Sequence, residues 1–291
     1  MKRGFILLSI LFVFIILASC GHSSGKNKRY STENAILPAE SSITIMGKPD
    51  TENYDSLNKN NLSNSAFIIC KPAPLSLVPE QLIEKSSYIV SYNRDTKIPN
   101  WVAWHLTANH TDGPFKRMSN FYEEDVENPR ATLEDYRGSG WSRGHMCPAG
   151  DNKWSRQAMY DSFSLVNVCP QHSKLNSGLW NSIEMDCRKW ARKYNEVYIV
   201  CGPVLMKGKH ETIGTNEVVV PEAFFKVVLC LTDKPKALGY IVKNTEGNKK
   251  KDLYYNSIDQ VERITGIDFF PALPDDIENK VEAKADINDW K

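Results

Sequence analysis

Apolar positions along the chain recur with two periods, and each period predicts a class of element. Ser87 to Tyr92 and Trp101 to Thr107 are aromatic and β-branched runs, and the polar stretch 93–100 between them predicts an antiparallel hairpin. Val197 to Cys201, Glu217 to Val220, Ala223 to Leu231 and Ala237 to Lys243 predict further strands, punctuated by Gly202-Pro203, Pro221 and Asp233-Lys234-Pro235. Helical spacing is found from Lys153 to Phe163 and from Ser177 to Tyr194, where Leu179, Ile183, Cys187, Trp190 and Tyr194 describe a buried face. Asn176, Trp180, Glu184 and Arg188 recur on a neighbouring stripe. A continuous helix therefore projects Asn176 and Glu184 from nearly the same side, about 12 Å apart along its axis. Ser257 to Thr265 and Pro274 to Val281 predict two short C-terminal helices. The expected class is α+β, an antiparallel sheet with helices packed on it.

Ahead of residue 67 the pattern is different. Lys2 and Arg3 precede an apolar run from Phe5 to Ala18, and small residues follow, which predicts an export signal over residues 1–19. A spanning helix is the alternative, but the run falls short of the roughly 20 residues that cross the hydrocarbon. Leu17-Ala18-Ser19-Cys20-Gly21 resembles a bacterial lipoprotein box, in which Cys20 is acylated and becomes the new N-terminus. A plain secretory cleavage site would leave Cys20 a thiol. Residues 20–66, rich in Ser, Asn, Lys and Gly, read as a flexible tether to a folded domain over residues 67–291. The expected localisation is outside the cytoplasm, on a membrane surface through a lipid anchor, with the leaflet open.

Composition changes this picture in two respects. The 291 residues are 41% hydrophobic and 24% charged, which excludes disorder throughout. The formal charge is +1, and removing residues 1–19 takes away Lys2 and Arg3 but no acid, leaving −1. No global basic field draws in nucleic acid, so such binding rests on a local patch, for which the segment from Lys174 to Lys209 is the candidate. A solvated helix face is the plain alternative there. Six cysteines follow Cys20 without a Cys-x-x-Cys pair, and disulfides and reduced buried thiols both stay open.

Phosphodiester cleavage needs a base to activate water, positive charge on the non-bridging oxygens, and stabilisation of the leaving oxygen. Arg143, His145, Asn176 and Glu184 supply all three in combination with a hydrated metal ion. His145 stands out because Gly140 and Gly144 let backbone approach a ligand and Arg143 is close by to hold phosphate. The other histidines, His22, His105, His110, His172 and His210, read as structural hydrogen bonders.

Ser142-Arg143-Gly144-His145, followed by Pro148 and Asp151 and then by Asn167, Pro170-Gln171, Asn176, Trp180 and Glu184, resembles the DNA/RNA non-specific endonuclease family of the ββα-metal superfamily, endonuclease G-like members included. Arg117, Phe121, Asp125, Asp135 to Gly140, Val220-Pro221 and Phe225-Lys226 extend the resemblance over about residues 85–275. The resemblance implies a ββα-metal nuclease fold and cleavage of DNA and RNA with little sequence preference. It implies that His145 is the general base, that Asn176 binds a hydrated Mg2+ or Mn2+, and that Glu184 orients metal-bound waters. Arg117 and Arg143 then clamp the phosphate. A homodimer is among the arrangements it allows. Asn167 and Gln171 read as loop-fixing residues and Trp180 as packing. Where the family carries an acid before Arg-Gly-His this chain has Ser142, which serves if that acid only braces Arg143. Cys147 sits two residues from His145, so a thiolate nucleophile is a further reading, without support from Asn176 and Glu184. Two other functions compete: a non-catalytic nucleic-acid-binding surface lipoprotein, and a small-substrate phosphodiesterase on the same scaffold.

Overall fold

The computed structural model describes residues 67–126 and 128–291, all within one unit, Pro49–Lys291. The export signal, Cys20 and the tether lie outside the described residues. Among those described, no helix is long and apolar enough to cross a membrane.

In chain order the strands are β1 (Gln81–Glu84), β2 (Ile89–Asn93), β3 (Ile98–Thr107), β4 (Ser142–His145), β5 (Val168–Gln171), β6 (Glu196–Val204), β7 (Thr212–Ile213), β8 (Val218–Val219), β9 (Ala223–Cys230), β10 (Lys236–Lys243) and β11 (Tyr255–Asn256). The helices are α1 (Leu133–Tyr136), α2 (Arg156–Asp161), α3 (Asn181–Tyr194), α4 (Ile258–Thr265) and α5 (Asp275–Glu282). Seven strands form one sheet in the order β1-β2-β3-β6-β9-β10-β11, every pairing antiparallel.

The period of two sorts β9 onto two cores. Phe224, Val228 and Cys230 face a layer built with Ile183, Cys187, Trp190 and Ala191 of α3, while Ala223, Phe225, Val227 and Leu229 face Ile258, Val261 and Val281 of α4 and α5. Both faces are thus covered by helix, and β9 is buried along its whole length. Each large side chain sealed in this way contributes about 1.5–3 kcal/mol.

Most predicted elements recur with shifted ends. The expected hairpin is β2–β3, with a tighter turn that carries Lys97 at φ 58°. The helix expected over Lys153 to Phe163 shortens to α2, because Ser155 caps it by accepting a bond from the Ala158 N–H. Ser257 and Gln260 form a reciprocal capping box that opens α4, and Gly266 at φ 71° ends it. The strand expected over Glu217 to Val220 does not join the large sheet. Only Val218–Val219 is extended, and it pairs with β7 in a separate ribbon.

The helix expected over Ser177 to Tyr194 is also not continuous. A single turn (Ser173–Leu175) leads into a π-type turn, Asn176–Trp180, that breaks regular geometry at Gly178 before α3 begins. The wider turn rotates Trp180 into the core against Phe224 while Asn176 stays half-buried, so the four-residue stripe read from the sequence is not one straight face.

Candidate active site

The short hairpin β4–β5, followed by the π turn and α3, is a ββα unit lying against the α3 face of the sheet. Polar bonds hold it there. Asn167, fully buried, accepts from the Cys147 N–H and donates to the carbonyls of Cys147 and Ser162, at 2.8 to 2.9 Å, which fixes the loop beyond β4. Asn244 ties the far end of β5, donating to Pro170 O and Pro221 O and accepting from the His172 N–H. His172 then caps the turn that leads to Asn176 by accepting from the Lys174 N–H.

His145 ends β4, 5% exposed, with the Phe121 and Phe163 rings each 4.9 Å from its imidazole. Its Nε2 is buried and has no hydrogen-bond partner among the described residues. Burial, and then the charges of Arg117 and Arg143, push the imidazole pKa down to about 3, so the ring is neutral across the physiological range. The two arginines are exposed and ride on the same aromatic pair, Arg143 at 4.7 Å from the Phe121 ring and Arg117 at 5.3 Å from that of Phe163. Neither forms an ion pair within 4.0 Å among the described residues, which leaves both guanidinium groups for an anion.

Glu184, in the first turn of α3, is 13% exposed in its side chain. Burial raises its carboxyl to about 7, against the pull of Lys226, Arg188 and Arg117. The Glu184–Arg188 pair along the helix is loose at 3.9 Å, because Arg188 instead bonds Asp151 at 2.8 Å. The side chain of Asn176 has no hydrogen-bond partner among the described residues. A half-buried amide oxygen with no partner and a carboxylate with no close donor fit a hard, mostly hydrated divalent cation.

Arg117 acts on both His145 and Glu184, so four of the five predicted site residues share one electrostatic neighbourhood. Asn176 opens the π-type turn that leads into α3, five residues ahead of the helix that carries Glu184.

Several expectations need correction. Gly144 does not open backbone to a ligand: the buried Gln171 side chain fills that space, and a Cβ there would lie 2.3 Å from Gln171 Oε1. Ser142 makes no hydrogen bond to Arg143, which is steadied by Phe121 instead. Cys147 faces the core, receives a bond from Asn152 Nδ2 at 3.4 Å and has its thiol pushed up by burial, which excludes a thiolate paired with His145. The basic segment is not one surface. Arg188 turns inward to Asp151, Arg192 bonds Thr111 Oγ1, and Lys174 pairs with Glu246.

Sequence reasoning gave no role to Asp151 or Lys226 beyond their place in the motif, and gave Arg188 only a place on the stripe and in the basic segment. Lys226 is fully buried, its Nζ 4.8 Å from the Trp104 ring and 5.0 Å from that of Trp180. Burial pulls its pKa down, but Cys201, Cys187, Glu184 and Asp151 outweigh this and the net direction is up. A lone cation inside the apolar run Ala223–Cys230 was the available signal.

The family model for DNA/RNA non-specific endonucleases matches residues 70–276. The chain belongs to this family. Among the family's relatives, mitochondrial nuclease EXOG of Xenopus laevis is 36% identical over 208 residues, which is 65% of this chain and 58% of that one. The chain therefore spans less than two thirds of that relative's length. Mitochondrial endonuclease G of Bos taurus is 34% identical over 66% of this chain and 70% of its own. A solved chain of the EndoG/EndoGI complex, in which EndoG is inhibited, superposes with a TM-score of 0.66 at 27% identity over 72% of this chain and 92% of that one. The α+β fold described above is the family's ββα-metal fold.

Proposed function

We propose that this chain is a metal-dependent endonuclease hydrolysing phosphodiester bonds of DNA and RNA with little sequence preference. The observation that carries the reading is His145: a neutral imidazole with an unpartnered Nε2, set between two arginines that have no acidic partner. Arg117 and Arg143 would take the phosphate oxygens with their guanidinium groups. The bound phosphate offsets their charges and restores basicity to the imidazole, so His145 takes a proton from the attacking water. Asn176 would hold Mg2+ or Mn2+ through its amide oxygen, and Glu184 would hydrogen-bond the waters around it. Bound there, the ion supplies positive charge to a non-bridging oxygen and to the departing 3′-oxygen.

Contacts to phosphate rather than to bases account for a lack of sequence preference. We further propose that Cys20 carries a lipid anchor, which would hold the domain at a membrane surface beyond the cytoplasm.

Plasmid DNA and RNA incubated with the purified protein and Mg2+ should be degraded, and EDTA should stop the reaction. His145→Ala should slow cleavage about 100- to 10,000-fold with an unchanged circular-dichroism spectrum. Full activity in EDTA would remove the metal from the mechanism, and normal cleavage by His145→Ala would remove the base.

A further inference from the structure

On the face of the sheet opposite α3, the two C-terminal helices bring three carboxylates together. Asp259 and Glu262 stand one turn apart on α4, and Glu282 is the last residue of α5. Their nearest carboxylate oxygens all lie within 4.8 Å of one another. Glu262 Oε1 accepts the Phe269 N–H at 2.8 Å, which holds that carboxyl in place and leaves its second oxygen for a ligand. Glu282 is 8% exposed, and its Oε1 is buried with no hydrogen-bond partner among the described residues. A buried carboxylate oxygen left unbonded beside two others is costly unless something positive meets it. No counter-charge stands out among the groups that act most strongly on Glu282; they are Glu262, Glu278, Asp259 and Asp268, all acids.

We propose that Asp259, Glu262 and Glu282 form a divalent-cation site, sized for Ca2+, that clamps α4 to α5 away from the catalytic face. The donor set is all oxygen, with no His or Cys, which selects a hard cation over zinc or copper. Three oxygens at the full 4.8 Å spacing would sit about 2.8 Å from a common centre, so shifts of a few tenths of an ångström bring all three carboxylates to the roughly 2.3–2.6 Å of a Ca2+ shell. Asp259 and Glu262 are half-buried, and water completes the coordination shell on their open side. The ion joins elements that follow one another through Gly266 and the Phe269-Phe270 segment, where the second core closes.

The test is thermal unfolding of the purified full chain in EDTA and then in excess CaCl2. Stabilisation by a ligand at many times its dissociation constant should raise Tm by roughly 5 °C for a domain of this size. The rise should persist in Asn176→Ala, which lacks the proposed catalytic ligand, and should vanish in Glu282→Gln and in the Asp259→Asn, Glu262→Gln double variant. Calorimetric titration should lose one Ca2+ per chain in the same two variants. Absence of any Ca2+ response in the wild type would overturn the proposal and leave Glu282 as a carboxyl held protonated by burial and then by its acidic neighbours. A response lost in Asn176→Ala, or retained in either carboxylate variant, would overturn it as well.

Discussion

Burial acts on His145 and Glu184 in the same sense, penalising the charged form of each, and so moves their pKa values in opposite directions. For His145, held down to about 3 against an ordinary 6.5, the unfolded chain takes up the proton first as pH falls. Its contribution to stability is complete above about 6.5 and drains away on the path to 3. Glu184 behaves in reverse. With a folded value of about 7 against 4.5, the native state keeps its proton while the unfolded chain gives it up, so rising pH through that window costs stability. Glu184→Gln should therefore stabilise the metal-free fold by about 1–3 kcal/mol above pH 7 and by nearly nothing below pH 4.5. Urea melts at pH 8 and pH 4.5 in EDTA check this, and nuclease assays should show the same variant losing activity. Both residues were legible in the sequence through their motif context. Their charge states were not, because burial by Phe121, Phe163 and the sheet is a property of the assembled core.

The ββα unit depends on β4 and β5 meeting at close range. Gly144 pairs with Cys169 across that hairpin, and a Cβ on it would lie 2.6 Å from Gln171 Cβ, an atom fixed to the neighbouring strand. Gly144→Ala should destabilise the protein by about 1–3 kcal/mol, seen as a lower urea midpoint, and should weaken cleavage beyond that because His145 is the next residue. Neither strand was legible as a strand: Ser142 to His145 is short and polar, and β5 contains Pro170. Their pairing is set by Asn167, Asn244 and the core beneath. The turn before α3 shows the complementary limit. Four-residue spacing predicted one straight helix, yet the fully buried Trp180 is seated by a π turn, whose wider pitch cannot be read from a repeat of apolar positions.

At the scale of the whole domain, the six described cysteines are all free and buried, so the described fold is held by its hydrophobic cores rather than by cross-links between them. Dithiothreitol should leave Tm unchanged in a calorimetric scan, and a drop of several degrees would contradict the thiol assignment. By itself the sequence determined the α+β class, the hairpin β2–β3, the C-terminal helices and the residue types of the proposed reaction. Those depend on local periodicity, capping chemistry and motif spacing, all of which act over a few residues. Only the tertiary structure decided the strand order that sets β3 beside β6 and β6 beside β9, and the inward turn of Arg188 to Asp151. It also decided the burial of Lys226 between Trp104 and Trp180. Contacts between residues far apart in sequence have no local signature. They are selected by which faces can be sealed from water together, and that balance exists only once the sheet and its helices are packed.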